Sequence, residues 1–126
     1  MFASGDIVKF YSRMAGKPKF HLCLCIGETD GIYKFLMINS AAGYKSDVIF
    51  ADGEIPGLPK SKGGISVISL STISRVKAEK MKLWKPTRVD AMPALVINRL
   101  ISEIPGMDSL TGPEKRQLLE FLEKTL

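Results

Sequence analysis

The feature that most constrains this chain is a pair of apolar segments, residues 20–26 and 32–39, separated by a short stretch that contains Asp30-Gly31. Short apolar runs bounded by turn residues predict β-strands, and a run that is apolar at almost every position predicts a strand buried on both faces. An Asp-Gly pair between two such runs is a strong hairpin signal. The chain is therefore expected to contain an antiparallel hairpin.

Further short segments extend this β pattern on both sides of the hairpin. Strands are predicted at 7–11, 47–50, 65–70 and, after a helical turn at 71–74, over 75–84. Glycine and proline punctuate the chain between them, most densely in a long loop at 51–64. Short strands joined by turns suggest a small barrel.

The apolar period changes towards the C-terminus. Apolar residues then follow a helical spacing at Val89, Pro93, Val96, Leu100 and Ile104. Pro105-Gly106 ends this helix, and Thr111-Gly112-Pro113-Glu114 is a capping box for a second one. The predicted fold class is mainly β with C-terminal helices, as a single domain over 1–126 with a barrel core at 4–85 and helices at 87–126.

The net charge of the chain and the lengths of its apolar segments limit which partners and which cellular location are expected. The chain has 126 residues, a net charge of +5 and a pI of about 9.3, which favours a polyanionic partner. Its first residues lack a basic and then apolar leader, and no apolar run approaches the roughly 20 residues of a membrane span. A cytoplasmic protein with no membrane partner is expected.

Basic residues concentrate in the first loop, where Arg13, Lys17, Lys19 and His21 fall within one short stretch. Cations stabilise the charge that develops on a phosphorane, and an imidazole can shuttle a proton near neutral pH. This set suits phosphodiester chemistry. The alternative is a solvated loop without a chemical role.

A second basic set lies further along the chain. A basic strand with an aromatic residue can follow a nucleic-acid backbone while a base stacks on the ring of Trp84. The alternative for this segment is an edge strand whose lysines protect it from aggregation. For the lysines of the 51–64 loop, the alternative is a flexible hairpin loop. The candidate RNA-binding residues are Arg13, Lys60, Lys62, Lys77, Lys80, Lys82 and Trp84.

His21, Cys23 and Cys25 form an H-x-C-x-C run that would place three soft-metal ligands on one strand face. Structural zinc normally takes four ligands from turns, and the chain has no other cysteine or histidine. The cysteines are therefore interpreted as buried structural residues, and no metal site is predicted.

The order of these segments resembles the MazF/PemK family of toxin–antitoxin ribonucleases over about residues 4–104. The resemblance depends on Gly5-Asp6-Ile7-Val8, on Lys17-Pro18-Lys19 before an apolar strand, and on Ser40 after the third strand. Residues 66–73, Arg75-Val76-Lys77 and a C-terminal helix through Leu100 follow in the same order.

This resemblance implies a fold and an activity. It implies an SH3-like β-barrel that forms a homodimer and cleaves single-stranded RNA without a metal or other cofactor, leaving a 2′,3′-cyclic phosphate. It also implies inhibition by a small acidic antitoxin protein.

Residue by residue, the resemblance places Lys17 where the family has an arginine before a proline, and Ser40 where it has threonine or serine. Lysine keeps the charge and loses the bidentate fork of arginine. Ser71-Thr72 stands where the family has an acidic or amide pair, and Arg75 is displaced by one position. The candidate catalytic residues are Lys17 or Lys19 as phosphate stabiliser, His21 or Ser40 for proton transfer or orientation, and Arg75 as a second cation.

Two other functions stay open at this point. The missing arginine and acidic residue favour a nucleic-acid-binding barrel without catalysis, whose affinity would fall steeply with salt. A protein-interaction module that docks a partner through the 51–64 loop and the C-terminal helix is the third hypothesis. An SH3-like barrel is compatible with all three.

Overall fold

A computed structural model describes residues 2–13, 15–27 and 30–126. Six strands and three α-helices make up this part of the chain, and the prediction of a mainly β fold with C-terminal helices is confirmed. The elements are β1 (Asp6–Ser12), β2 (Lys17–Ile26), β3 (Ile32–Asn39), β4 (Asp47–Ala51), β5 (Ile65–Lys77), α1 (Ala78–Leu83), β6 (Thr87–Ala91), α2 (Ala94–Glu103), a 3-10 turn (Ile104–Gly106) and α3 (Gly112–Lys124).

The strands form one antiparallel sheet in the order β4-β5-β3-β2-β1-β6, which curls into a half-barrel. The pairing register shifts within β1, β2 and β3, at Ile7/Val8, Cys23/Cys25 and Leu36/Ile38. Such bulges increase the local twist of a strand and help a sheet to curl. The finer assignment to an SH3-like barrel stays a prediction.

Apolar clusters cover both faces of the sheet, as expected for strands that are apolar at consecutive positions. On one face, Leu22 and Leu36 pack with residues of α2 and α3 such as Leu100 and Leu118. On the other face, a smaller cluster joins Val8, Phe10, Cys23, Tyr33, Phe35 and Met81 of α1. The two faces of the sheet therefore form two separate surfaces, and different exposed residues surround the apolar cluster on each.

The predicted hairpin is present as β2 and β3, which pair antiparallel. Its turn includes Glu28 and Thr29, which lie outside the described residues. On either side of them, the amide of Gly31 donates to the carbonyl of Gly27 over 3.0 Å. The predicted capping box is confirmed, because the amide of Glu114 donates to the Thr111 hydroxyl and the Glu114 carboxylate accepts from the Thr111 amide.

The structure corrects the prediction for residues 71–84. The expected helical turn at 71–74 lies inside β5, where Ile73 pairs with Leu36. The expected strand at 75–84 ends at Lys77, and α1 follows. The alternation of Met81 and Leu83 with lysines was misleading because only Met81 is buried, whereas Leu83 is 79% exposed. A short helix that buries one residue leaves no clear period in the sequence.

The start of the helical region is also corrected. Residues 87–91 form β6, which pairs with β1, so Val89 belongs to the sheet. The helical region begins at Ala94 instead of residue 87, with Pro93 as the N-cap in an extended conformation. Proline disfavours the helical conformation in the residue before it, which separates β6 from α2. Within the described residues, no helix combines the length and apolar character needed to cross a bilayer.

Candidate functional site

Two pockets on opposite faces of the sheet contain most of the predicted site residues. Antiparallel pairing places Phe20 beside Ile38, and the next pair, His21 and Met37, points to the other face. Phe20 and Ile38 line a pocket of about 210 Å³, called here the lysine pocket. His21 and Met37 line a pocket of about 160 Å³, called here the histidine pocket.

The lysine pocket forms where β2 begins, β3 ends and the loop between β4 and β5 folds over them. Lys17 to Phe20 supply one wall, Ser40 follows the end of β3, and Leu58 comes from the loop. Three of the five predicted catalytic residues, Lys17, Lys19 and Ser40, therefore meet at one pocket. Lys17 and Ser40 are far apart in sequence, and antiparallel pairing of β2 with β3 brings them together.

The loop over the lysine pocket is anchored by hydrogen bonds. The Ser61 hydroxyl donates to the carbonyl of Ile65 over 2.7 Å and accepts from its amide over 2.9 Å. The Asp52 carboxylate accepts from the Ser61 amide over 3.2 Å, and Ile55 is buried. The 51–64 segment, predicted as a long irregular loop, therefore forms a fixed wall of the pocket.

The segment after Ser40 is fixed as well. The Asp47 carboxylate accepts from the amides of Gly43 and Tyr44, each over 2.9 Å, and from the Ser69 hydroxyl over 2.7 Å. The Asn39 side-chain amide donates to the same hydroxyl over 3.1 Å. Ser40 thus lies between the paired end of β3 and a hydrogen-bonded turn.

The cations of the lysine pocket lie at its rim, because Lys17 and Lys19 alternate with Phe20 along β2. Burial, followed by repulsion from Lys17, lowers the pKa of the Lys19 ammonium below its usual 10.5. No aspartate, glutamate or histidine is among the described residues that line this pocket. Paired cations beside a hydroxyl suit an anion such as a phosphate.

Lys9 is a further cation that the sequence analysis missed. Its Nζ lies 5.3 Å from the centroid of the Phe20 ring, because Lys9 pairs with Phe20 across β1 and β2. The signal in the sequence was a lysine between two apolar residues, Val8 and Phe10, both of which are buried. Lys9 can add positive charge to the same face of the sheet.

The histidine pocket brings together His21, Arg75, Arg13 and Trp84. His21 stacks on Phe10 with ring centroids 3.8 Å apart, and Phe10 lies parallel to Trp84 at 6.0 Å. His21 Nδ1 is buried and has no hydrogen-bond partner among the described residues. The predicted catalytic set is therefore divided between two faces, although Lys19 is close enough to His21 to affect its pKa.

Burial lowers the pKa of His21 to about 4, although the backbone carbonyls of Val8 and Lys19 favour the charged ring. The imidazole is therefore neutral at pH 7. The expectation that His21 titrates near neutral pH is wrong, because a ring stacked within the sheet loses the hydration that stabilises its charged form.

The remaining predicted RNA-binding residues do not line either pocket. Lys60 borders a separate cavity near Asp52, and Lys62 is exposed in the same loop. Lys77 ends β5, and Lys80 and Lys82 lie on α1. Residues two apart on a helix point to nearly opposite sides, so Lys80 and Lys82 do not form the one-sided basic strand that was predicted.

The interpretation of the cysteines as buried structural residues is confirmed for Cys23, whereas Cys25 is only partly buried. Cys23 is fully buried, and burial together with the charge of Asp6 raises the pKa of its thiol to about 12. A protonated, buried thiol behaves as a small apolar group. Within the part of the chain that the structure describes, no three histidine, cysteine or acidic side chains lie together as a metal site.

Comparison with protein-family models, with curated proteins and with solved structures finds no significant match for this chain. The resemblance to the MazF/PemK family therefore stays a hypothesis that the sequence motifs alone support.

Proposed function

We propose that this protein is a metal-independent endoribonuclease that cleaves single-stranded RNA at the lysine pocket. The observation that supports this most is the convergence of Lys17, Lys19 and Ser40 on one positively charged pocket. Lys17 and Ser40 are two of the positions that the family resemblance carries over, whereas a third, Arg75, lies at the histidine pocket. The pocket is small, which suits one nucleotide of an unpaired strand.

The reaction is attack of a ribose 2′-oxygen on the adjacent phosphorus. A bond from the 2′-oxygen to phosphorus forms, the bond to the 5′-oxygen breaks, and the products carry a 2′,3′-cyclic phosphate and a 5′-hydroxyl. Lys17 stabilises the charge on the phosphorane, and the Ser40 hydroxyl donates a hydrogen bond to a non-bridging oxygen. Lys19, whose pKa is lowered, donates a proton to the leaving oxygen.

The proton of the 2′-hydroxyl passes to solvent in this proposal, because no carboxylate or imidazole is among the described residues of the lysine pocket. A positioned general base typically contributes roughly 100- to 10,000-fold to a rate. We therefore expect a slow enzyme, with activity that rises as hydroxide concentration increases until Lys19 loses its proton.

The same observation favours a second function, an RNA-binding protein without catalysis. Two lysines, a serine and an apolar wall of Phe20, Ile38 and Leu58 are sufficient to bind a nucleotide of a single strand. In that case the affinity falls with salt, with a slope of about −0.7 for each phosphate contacted, and no product forms.

The proposal includes the partners that the resemblance implies. A small acidic protein would bind the positively charged pocket and inhibit it, and two copies of the chain would associate in the cytoplasm. The net charge of +5 supports an acidic inhibitor. Light scattering during size-exclusion chromatography tests the dimer, and a monomer at assay concentration would contradict it.

The test is incubation of the purified protein with a long unstructured RNA in EDTA, followed by analysis of the fragment ends. Discrete cuts with cyclic phosphate ends support the ribonuclease, and Lys17→Ala should reduce the rate by about 100-fold, as loss of one charge stabiliser does. Lys19→Ala and Ser40→Ala should also reduce it.

Lys124→Ala is the matched control, since Lys124 is exposed on α3 and pairs only with Glu120 among the described residues. Salt-sensitive binding of RNA that stays intact would support the second function instead. Equal activity of Lys17→Ala and the unsubstituted protein would refute cleavage at the lysine pocket.

A further inference from the structure

We infer that the histidine pocket is a second nucleotide-binding site, in which Arg13 and Arg75 hold the phosphate and the ring of Trp84 holds the base. This pocket lies on the face of the sheet opposite to the lysine pocket. It therefore does not depend on whether the lysine pocket cleaves RNA.

Two guanidinium groups border the pocket without a competing acid. Arg13 and Arg75 both line it and both are exposed. Among the described residues, neither has a carboxylate within ion-pair distance; the ion pairs of this part of the chain involve Arg88, Arg99 and Lys124. An arginine with free N–H groups binds a phosphate through two parallel hydrogen bonds, which makes such a pair a specific anion site.

The pocket also has an aromatic wall. Trp84 lines it and is partly buried beside Phe10. The rings of Phe10 and Trp84 are nearly parallel, at an angle of 7°. The part of the Trp84 ring that Phe10 leaves uncovered offers a flat surface on which a nucleobase can stack. A metal ion or a bare phosphate would make no use of this surface.

One buried polar atom of the pocket has no hydrogen-bond partner among the described residues. His21 lines the pocket, and its Nδ1 has no hydrogen-bond partner among the described residues. A buried polar atom without a partner is unfavourable, so a base edge that displaces the ring slightly and bonds to it would stabilise the complex. Because the ring is neutral at pH 7, it can pair with either a donor or an acceptor of a base, depending on its tautomer.

The size of the pocket limits the ligand. Its volume of about 160 Å³ is below the roughly 300–1,000 Å³ of sites for larger ligands. One base fits, with its sugar and phosphate at the open rim beside the arginines. The nucleotide could be free or could be one residue of an RNA strand, and Lys19, between the two pockets, offers a positively charged path for such a strand.

Trp84 is the only tryptophan of the chain, so its fluorescence reports directly on this pocket. The first experiment titrates the full-length protein with a nucleoside monophosphate and, separately, with inorganic phosphate. We expect a saturable change in Trp84 fluorescence with the nucleotide, and weaker binding of inorganic phosphate, which lacks a base. Absence of a saturable change with each of the four common nucleoside monophosphates would overturn the inference.

Three variants assign the contacts. Arg75→Gln and Arg13→Gln should each weaken binding of the nucleotide by about tenfold or more, as loss of a charged hydrogen bond does. Trp84→Leu, followed by calorimetry because it removes the fluorophore, should weaken binding of the nucleotide by about fivefold or more through lost stacking and leave binding of inorganic phosphate unaffected. Both arginines are exposed, so their replacement is compatible with folding, and circular dichroism checks the fold of all three variants.

Arg116→Gln is the control, because it removes the same charge from an exposed position on α3 that does not line the pocket. Ser40→Ala should leave nucleotide affinity at Trp84 unchanged, even where it slows cleavage, because Ser40 does not line the histidine pocket. If Arg75→Gln and Arg116→Gln bind equally well, or if Ser40→Ala alone removes the fluorescence change, the site is elsewhere and the inference is wrong.

A short single-stranded RNA identifies the source of the nucleotide. If the RNA binds more tightly than the monophosphate and Ser40→Ala removes this gain in affinity, the ligand is a strand that occupies both pockets. If the RNA and the monophosphate bind with equal affinity and Ser40→Ala changes neither, the ligand of the same site is a free nucleotide.

Discussion

Replacement of His21 by phenylalanine should remove much of the sensitivity of this fold to mild acid. Burial lowers the pKa of His21 from 6.5 to about 4, so the unfolded chain binds a proton more tightly than the folded one. Stability rises with pH wherever the unfolded state binds more protons. The contribution of His21 is therefore complete above about pH 6.5, and it is lost as the pH falls towards 4.

The magnitude follows from the size of the pKa shift. One unit corresponds to about 1.4 kcal/mol, so the shift amounts to about 3 kcal/mol in total, with roughly 2–3 kcal/mol already lost at pH 4.5. His21→Phe keeps an aromatic ring against Phe10 and removes both the titrating nitrogen and the unpartnered Nδ1. At pH 7.5 the variant should be about as stable as the unsubstituted protein, because it removes a buried unpartnered atom and also loses the hydrogen bonds of the ring to the backbone of Val8 and Lys19.

The assay is urea unfolding of both proteins at pH 7.5 and pH 4.5. Carboxylates titrate over the same range in both, so the difference between the two pH dependences isolates His21. We expect the unsubstituted protein to lose about 2 kcal/mol more than the variant. Parallel loss of stability in the two proteins would show that His21 is hydrated or paired in solution, and would refute the reasoning from burial.

Three further predictions concern the loop, a helix cap and the proposed reaction. Gly57→Ala should lower the unfolding free energy by about 2–4 kcal/mol in urea titrations, since Gly57 has φ +78° and a Cβ there would clash with Val89 Cγ1; an unchanged midpoint would contradict this. Thr111→Ala should cost about 1 kcal/mol of stability by removing the capping box of α3, whereas Thr111→Ser should cost little. If the RNA is cleaved, the activity should fall on the alkaline side at a pH below the usual lysine pKa of 10.5, because Lys19 donates a proton and its pKa is lowered; an alkaline limb that is unchanged in Lys19→Ala would assign it to another group.

The β hairpin and the second helix were predictable because their signals are local. An Asp-Gly pair between two apolar runs and a Thr-x-x-Glu box each specify a structure over a few residues. The region from Ile73 to Val89 was not predictable in the same way. There β5 continues beyond Ile73 through Ser74, Arg75 and Lys77 because these residues pair with β3, and β6 forms because it pairs with the free edge of β1. Pairing with distant strands determines these elements, and the spacing of residues in the sequence does not reveal that pairing.

For the candidate site, too, the sequence predicted what depends on neighbouring residues and missed what depends on the pairing of distant strands. The sequence brings Lys17, Lys19 and His21 together because they follow one another on a strand, but it gives no register between strands. Phe20 pairs with Ile38, and His21 pairs with Met37. This register determines which residues from distant segments lie beside Phe20 and which lie beside His21. Ser40 then belongs with the lysines, and Arg75 and Trp84 belong with the histidine. One basic loop therefore contributes to two pockets, and a variant of Lys19, which borders one and acts electrostatically on the other, should affect both.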